Sequence, residues 1–293
     1  MVLIRDEAHG WLRLGEVAPQ LLTEARVQLH WASQLVAAVG ATHLLPAKDD
    51  VHTTMQWMAG HELLAGERAW HGKPFRAALR VAALSVVILD LMDRPMDELH
   101  LDGRTLEDAR VWLETEIADY VGAQPKSLDV PVCQMPRHPV AGGRVFQLES
   151  AGANLELARW YVGADVVLRE LAAETPYASP VRCWPDRLDL RTSISMAPVE
   201  GAHGERAIRV GMCPGDTVFP DPYWYVAAHP RPERAPGLPR IGHGGEWYDG
   251  PWLGATLRSR HLLPGSASGQ RERLVAFLEP AIAACRELLT SPA

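Results

Sequence analysis

The stretch RCWPDRLDLRTSISM, Arg182 to Met196, decides the fold class. Leu188, Leu190, Thr192, Ile194 and Met196 alternate with Asp189, Arg191, Ser193 and Ser195, the period of a β-strand with one apolar face. Asp189 and Arg191 are two apart and share the other face, which reads either as a solvated sheet face or as a place where the two form an ion pair or hold a polar ligand. Two more extended segments follow. In AIRVGMCPGD, 207 to 216, Ile208, Val210 and Met212 oppose Arg209 and Gly211. Cys213-Pro214-Gly215-Asp216 ends that segment with turn chemistry. In DPYWYVAAHP, 221 to 230, Tyr223, Tyr225, Ala227 and His229 oppose Trp224, Val226 and Ala228. An aromatic on each face predicts a strand that is buried on both sides or lines a cleft.

Outward from these strands, helical periodicity sets the frame. Leu22, Ala25, Leu29, Ala32, Val36 and Val39 recur at spacings of three and four, with Gly40 as the expected stop. His30 and Gln34 share a face of that helix. VHTTMQWM, 51 to 58, alternates as a strand, and 74–82 and 85–91 read as further strands, the second apolar enough to be central. Thr105 and Asp108 have capping-box spacing before a helix carrying Leu106, Ala109, Leu113 and Ile117, which Gly122 ends. Residues 128–134 read as an edge strand, since Pro131 is awkward in a central one. The Pro/Gly-rich loop 136–149 is the expected connection between lobes. A second helix on Leu157, Tyr161, Ala164, Leu168 and Leu171 precedes the three strands. Two short strands flank Gly250-Pro251, and a final helix spans about 268–289, interrupted at Pro280. The expected fold is α+β: two mostly antiparallel sheet-plus-helix units packed as one compact body. Residues 1–140 form an N-terminal helix/sheet/helix lobe and 141–293 a C-terminal one.

Composition narrows the function classes. The 293 residues are 47% hydrophobic, enough for a large core. A net charge of -7 without any Lys/Arg cluster argues against nucleic acid as a partner. Cys133, Cys183, Cys213 and Cys285 form no C-x-x-C pair, which argues against a zinc ribbon. The start, MVLIRDEAHGWL, lacks the apolar run of a signal peptide. The longest apolar run, Val81 to Leu89, is too short to span a membrane. The expectation is a reduced, cytoplasmic, bacterial-type protein that engages neither membrane nor nucleic acid, with its oligomeric state open.

Several segments resemble a bacterial family of unknown function, DUF5996. They are LHWASQLVAAVG, DDVHTTMQW, ANLELARWYVGADVVLREL, CWPDRLDLRTSISM and GMCPGDTVFPDPYWYVAAHPRP, in that order along the chain. The similar positions are His30, Gln34, His52, Trp184, Asp189, Pro214, Gly215, Asp216, Tyr225 and Pro230. The resemblance implies a fold and no accepted reaction or cofactor.

Three functional readings follow from the residues. The first is a small-molecule-binding protein or enzyme with a polar-aromatic cleft. Its catalytic candidates are His30, His52, Asp189, Asp216 and His229, since a His serves as acid or base near neutral pH. Its ligand-binding candidates are Trp184, Arg191, Tyr223 and Tyr225, with Arg191 suited to a carboxylate or phosphate. Cys213, between Met212 and Pro214, reads as a buried structural thiol. The second reading is a metal site on His229, His243 and Glu246, although HGGE lacks the geometry of H-E-x-x-H. The third is a non-enzymatic interaction or scaffold protein, with Trp247 and Trp252 either forming a partner surface or pinning loops to the core. No phosphate-binding, dinucleotide or nucleophile-elbow motif selects a reaction or a cofactor.

Overall fold

A computed structural model of the chain describes residues 10–130, 135–196, 205–233 and 237–290. Residues 128–130 of the expected edge strand carry no strand, and 131–134, Cys133 among them, lie outside the described residues. Two compact units divide the chain: Leu21–Ala158 with Arg182–Leu188, and the described parts of Met1–Gln20, Arg159–Val181 and Asp189–Ala293.

In the first unit helix α1 (Thr23–His43) precedes strands β1 (Met55–Met58), β2 (Leu63–Gly66), β3 (Ala69–His71), β4 (Lys73–Arg80), β5 (Ser85–Leu89) and β6 (Pro95–His100). Helix α2 (Leu106–Val121), the start of α3 (Ala151–Glu174) and β7 (Arg182–Trp184) follow. The neighbouring strands pair antiparallel, and β7 joins β1 through Met55 and Cys183. Alternation places Leu63, Ala65, Ala78, Val87 and Leu89 in one buried cluster. The other side takes α1, where the His43 ring meets Phe75 edge-on at 5.3 Å. The wholly buried β5 lies between β4 and β6, as its apolar run predicts. Thr105 and Asp108 form the reciprocal capping box, and Gly122 ends α2 at φ 72°.

Helix α1 does not stop at Gly40. It continues to His43, and Gly40 serves packing instead: a Cβ there would lie 2.2 Å from the backbone oxygen of His52, in the 3-10 segment Lys48–Thr53. The polar side of α1 pins loops. The Gln28 amide exchanges two hydrogen bonds with the Gln147 backbone, at 2.9 and 2.7 Å, and the Trp31 indole donates to Pro136.

The second unit holds β8 (Asp189–Ser195), β9 (Ala207–Cys213), β10 (Tyr223–His229), β11 (Glu246–Asp249), β12 (Leu253–Arg258), the short α4 (Ser259–Leu262) and α5 (Ala267–Thr290). Helix α5 runs through Pro280 without restarting. One face of β9 and β10, with Val210, Met212, Trp224 and Val226, is wholly buried. Each such aliphatic or Met side chain contributes about 1.5–3 kcal/mol by leaving water. Cys285 of α5 reaches the Val226 carbonyl at 3.5 Å. Burial pushes that thiol up to about 12, so it stays protonated and a poor nucleophile. Trp11 and Leu14 belong to this unit. Gly163 leaves room for the Trp11 ring, and the Gln270 side chain bonds both the amide and the carbonyl of Leu14 at 2.9 Å.

The strands form one antiparallel sheet of twelve, not two sheets. The order is β11-β12-β10-β9-β8-β7-β1-β2-β4-β5-β6, with β3 paired to β4. This corrects the expected pair of separate sheet-plus-helix units. The physical reason lies in RCWPDRLDLRTSISM, which is not one strand. Leu188 adopts φ 55° and its amide donates to the Trp184 carbonyl at 2.7 Å, so a turn splits the segment into β7 and β8. Among the described residues no helix is long and apolar enough to cross a membrane.

His43 supplies a pH-dependent contribution to stability. Burial first, then the charges of Lys126 and His71, push it from 6.5 down to about 4. Between those values the unfolded chain takes up a proton that the folded imidazole refuses. Its contribution is therefore complete above about 6.5 and is lost as pH falls to about 4. The ring is half-buried, so the loss is discounted for solvent screening to about 1–2 kcal/mol. Urea unfolding of His43→Leu is expected to show a shallower stability decline from pH 6.5 to 4 than wild type. Parallel pH profiles would contradict this role.

Candidate functional site

The register of β8, β9, β10 and β12 builds one polar row across the aromatic face. Arg191 lies opposite Gly211, Gly211 opposite Tyr225, and Tyr225 opposite Thr256. Asp189 precedes Arg191 by two residues and so shares that face. The Arg191 guanidinium donates from one terminal nitrogen to both Asp189 oxygens at 3.1 Å. The Tyr225 hydroxyl donates to Asp189 Oδ2 from the neighbouring strand pair. Gly211 makes the meeting possible: a Cβ there would lie 2.7 Å from Arg191 Cβ and 2.9 Å from the Tyr225 hydroxyl. Relative exposure is 0% for Asp189, 2% for Tyr225 and 9% for Arg191, so the charges meet in an enclosed, weakly screened setting.

A second tyrosine-carboxylate pair sits beside the first. Tyr223 donates to Asp216 Oδ2 at 2.7 Å. Asp216 Oδ1 accepts the amides of Val218 and Phe219, each at 2.8 Å, which closes the turn after β9. The Tyr223 and Tyr225 rings are 6.2 Å apart and pack with Cys213 and Ala227. Half-buried rings lie over them. Phe219 meets Tyr223 at 5.0 Å and Tyr248 at 5.3 Å, and Trp252 meets Tyr225 at 5.9 Å and Tyr248 at 4.7 Å. Arg258 stacks on Phe219 at 5.1 Å. Tyr248 folds close over Gly250 in the β11–β12 turn, where an added Cβ would meet its hydroxyl at 2.3 Å.

Asp189, Arg191, Asp216, Tyr223 and Tyr225 are thus brought together, in an enclosed cluster rather than an open cleft. Cys213 is part of its apolar packing. The remaining candidates have other surroundings. His30 Nε2 and the Gln34 amide both donate to the Pro185 carbonyl, at 2.9 and 2.8 Å, and so hold the turn after β7. Trp184 is the half-buried last residue of β7. His52 accepts the Ala47 amide at 3.2 Å within its own loop. His229 ends β10 opposite Ala207. His243 is exposed, while Glu246 pairs with Arg260 at 2.9 and 3.1 Å. Among the described residues no three His, Cys, Asp or Glu side chains gather to hold a metal, so His229, His243 and Glu246 are not assembled as a ligand set. Trp252 belongs to the aromatic cluster, and the Trp247 indole donates to Pro239 at 2.7 Å, which ties down the loop before β11.

Sequence reasoning missed Gly211, Phe219, Tyr248 and Arg258 as members of this cluster. Gly211 carried a usable signal, a glycine inside a strand, which marks close approach of another group. Phe219 lies only four residues before Tyr223, between the Cys213-Pro214-Gly215-Asp216 turn and the next strand. The chain matches no known protein family, no curated protein and no solved structure, so the resemblance to DUF5996 rests on the quoted segments alone.

Proposed function

We propose that the protein binds a small molecule at the aromatic face of β8, β9, β10 and β12. Asp189, Arg191 and Tyr225 form its polar floor, and Phe219, Tyr248 and Trp252 its rim. The observation that carries this reading is an enclosed ion pair lying on the same strand face as a half-buried aromatic group. Desolvating two charges is expensive, and apolar residues of similar volume often stabilise a core as well or better. The opposite face of the same strands is built that way, from Val210, Met212, Trp224 and Val226. Sites for small molecules combine aromatic walls with a few placed polar groups. The suited ligand is a flat ring carrying a carboxylate or hydroxyl. The ring lies against Trp252 and Tyr248, and the substituent turns toward Arg191 and Tyr225. Entry displaces rings of the β11–β12 hairpin, since they cover the floor. The proposal is of binding, with no reaction assigned.

A thermal-shift panel of benzoate, p-hydroxybenzoate and phenol tests it. A binder is expected to raise the wild-type Tm by a few degrees at saturation. It is expected to lose that effect in Asp189→Asn/Arg191→Met, which removes the charges and keeps an acceptor for Tyr225. A panel that shifts wild type and the double variant alike, or neither at millimolar concentration, would sink the reading.

A further inference from the structure

The first unit carries a concavity of about 380 Å³ between the ends of α1 and α2 and the end of β3. Ile117, Val121 and Pro125 give it an apolar wall, while Lys126 gives it a cation and His43 and His71 two imidazoles. Its volume falls within the roughly 300–1,000 Å³ of small-molecule sites. Lys126 lines the groove, and Lys73 follows its His71 by two residues. Lys126 donates to the Thr42 carbonyl at 2.6 Å, and Lys73 to the Tyr120 carbonyl at 2.9 Å. Each caps a helix end with one of its three N–H donors. Glu114 also lines the groove, but it is engaged by Arg110 and by the Leu128 amide at 2.7 Å. The local balance is therefore positive in a chain whose net charge is -7. Among the described residues the His43 ring nitrogens have no hydrogen-bond partner, so an imidazole edge is left for a ligand.

We propose that this groove binds a small carboxylate with an apolar tail, the carboxylate meeting Lys126, His71 and His43 and the tail lying on Ile117, Val121 and Pro125. Burial first, and then the charges of Lys126 and His71, hold His43 deprotonated, and its neighbour Glu114 is already neutralised by Arg110. An anion in the groove offsets the charge part of that shift, not the burial part, and so favours a proton on His43. The bound carboxylate therefore raises the His43 titration midpoint. The residues differ from those of the aromatic cluster, so this inference stands or falls separately.

The test is an NMR titration of the full chain with octanoate, and with octanol as the uncharged control. Octanoate is expected to shift groove resonances, to raise the His43 midpoint above about 4, and to bind about tenfold more weakly to Lys126→Met, the scale of one charge-assisted hydrogen bond. Lys126→Arg is expected to restore most of the affinity. Octanol is expected to bind wild type and Lys126→Met equally. The proposal is overturned if octanoate binds no better than octanol, if it leaves the His43 midpoint unmoved, or if it perturbs no groove residue at 5 mM, roughly the upper end of measurable weak affinity.

Discussion

Replacing Asp189 by Ala is expected to lower the stability of the protein by about 3–5 kcal/mol, the range for removing one partner of a buried ion pair. Asp189 is fully enclosed and accepts from Arg191 and from Tyr225. The substitution strips both of that carboxylate inside a region where water cannot replace it. The charge left behind at Arg191 dominates the loss, because the small side-chain volume removed from Asp is a minor effect by comparison. That ordering is checkable. Asp189→Asn/Arg191→Met removes both charges together and is expected to remain within about 1 kcal/mol of wild type. Urea unfolding followed by tryptophan fluorescence gives both values. An Asp189→Ala midpoint equal to that of wild type would mean the pair is solvated rather than enclosed.

Gly40→Ala is expected to cost about 3 kcal/mol, the upper end for forcing extra volume into a packed site. Helix propensity alone argues the other way, since Ala is favoured over Gly by about 1 kcal/mol in a helix interior. The close approach decides the sign. The new Cβ would lie 2.2 Å from the His52 backbone oxygen and 3.2 Å from Thr53 Cα. Those are backbone atoms, so no side-chain rotation relieves the overlap. Gly60→Ala is the control, because nothing lies within 4 Å of a Cβ there and its φ is not positive. It is expected to leave stability unchanged or slightly raised. If Gly40→Ala unfolds at the same urea concentration as Gly60→Ala, the contact between α1 and Lys48–Thr53 is looser than described.

Sequence legibility followed the range of the forces involved. Alternation within β8, β9 and β10 reads directly, because a strand shows its two faces in its own residues. The capping box at Thr105 and Asp108 and the stop at Gly122 are also local devices. The single sheet was not legible. Alternation runs unbroken through Leu188, yet Leu188 sits at positive φ in a turn, and only long-range pairing separates β7 from β8. Strand β6, PMDELH, is mostly exposed and polar at the sheet edge, so it shows no apolar period. Gly40 looks like a helix stop until His52, twelve residues away, is placed against it. In the candidate site, Asp189, Arg191, Tyr223 and Tyr225 were identifiable as polar and aromatic residues on a strand face. Their enclosure was not, because Phe219, Tyr248 and Trp252 approach from separate turns and strands.

The division of the chain between its units has a consequence for synthesis on the ribosome. The chain begins in one unit, fills most of the other, returns, lends residues 182–188 back, and then finishes the first. A nascent chain of 158 residues holds Trp11 and Leu14, but it lacks both Gly163, which admits the Trp11 ring, and Gln270, which bonds Leu14. The same nascent chain holds β2 but lacks β7, the strand on the other side of β1. Neither unit is therefore complete when most of its residues have emerged, and vectorial folding from the N-terminus stalls at both. The last described helix secures the first described segment, so across these units the order of completion runs opposite to the order of translation.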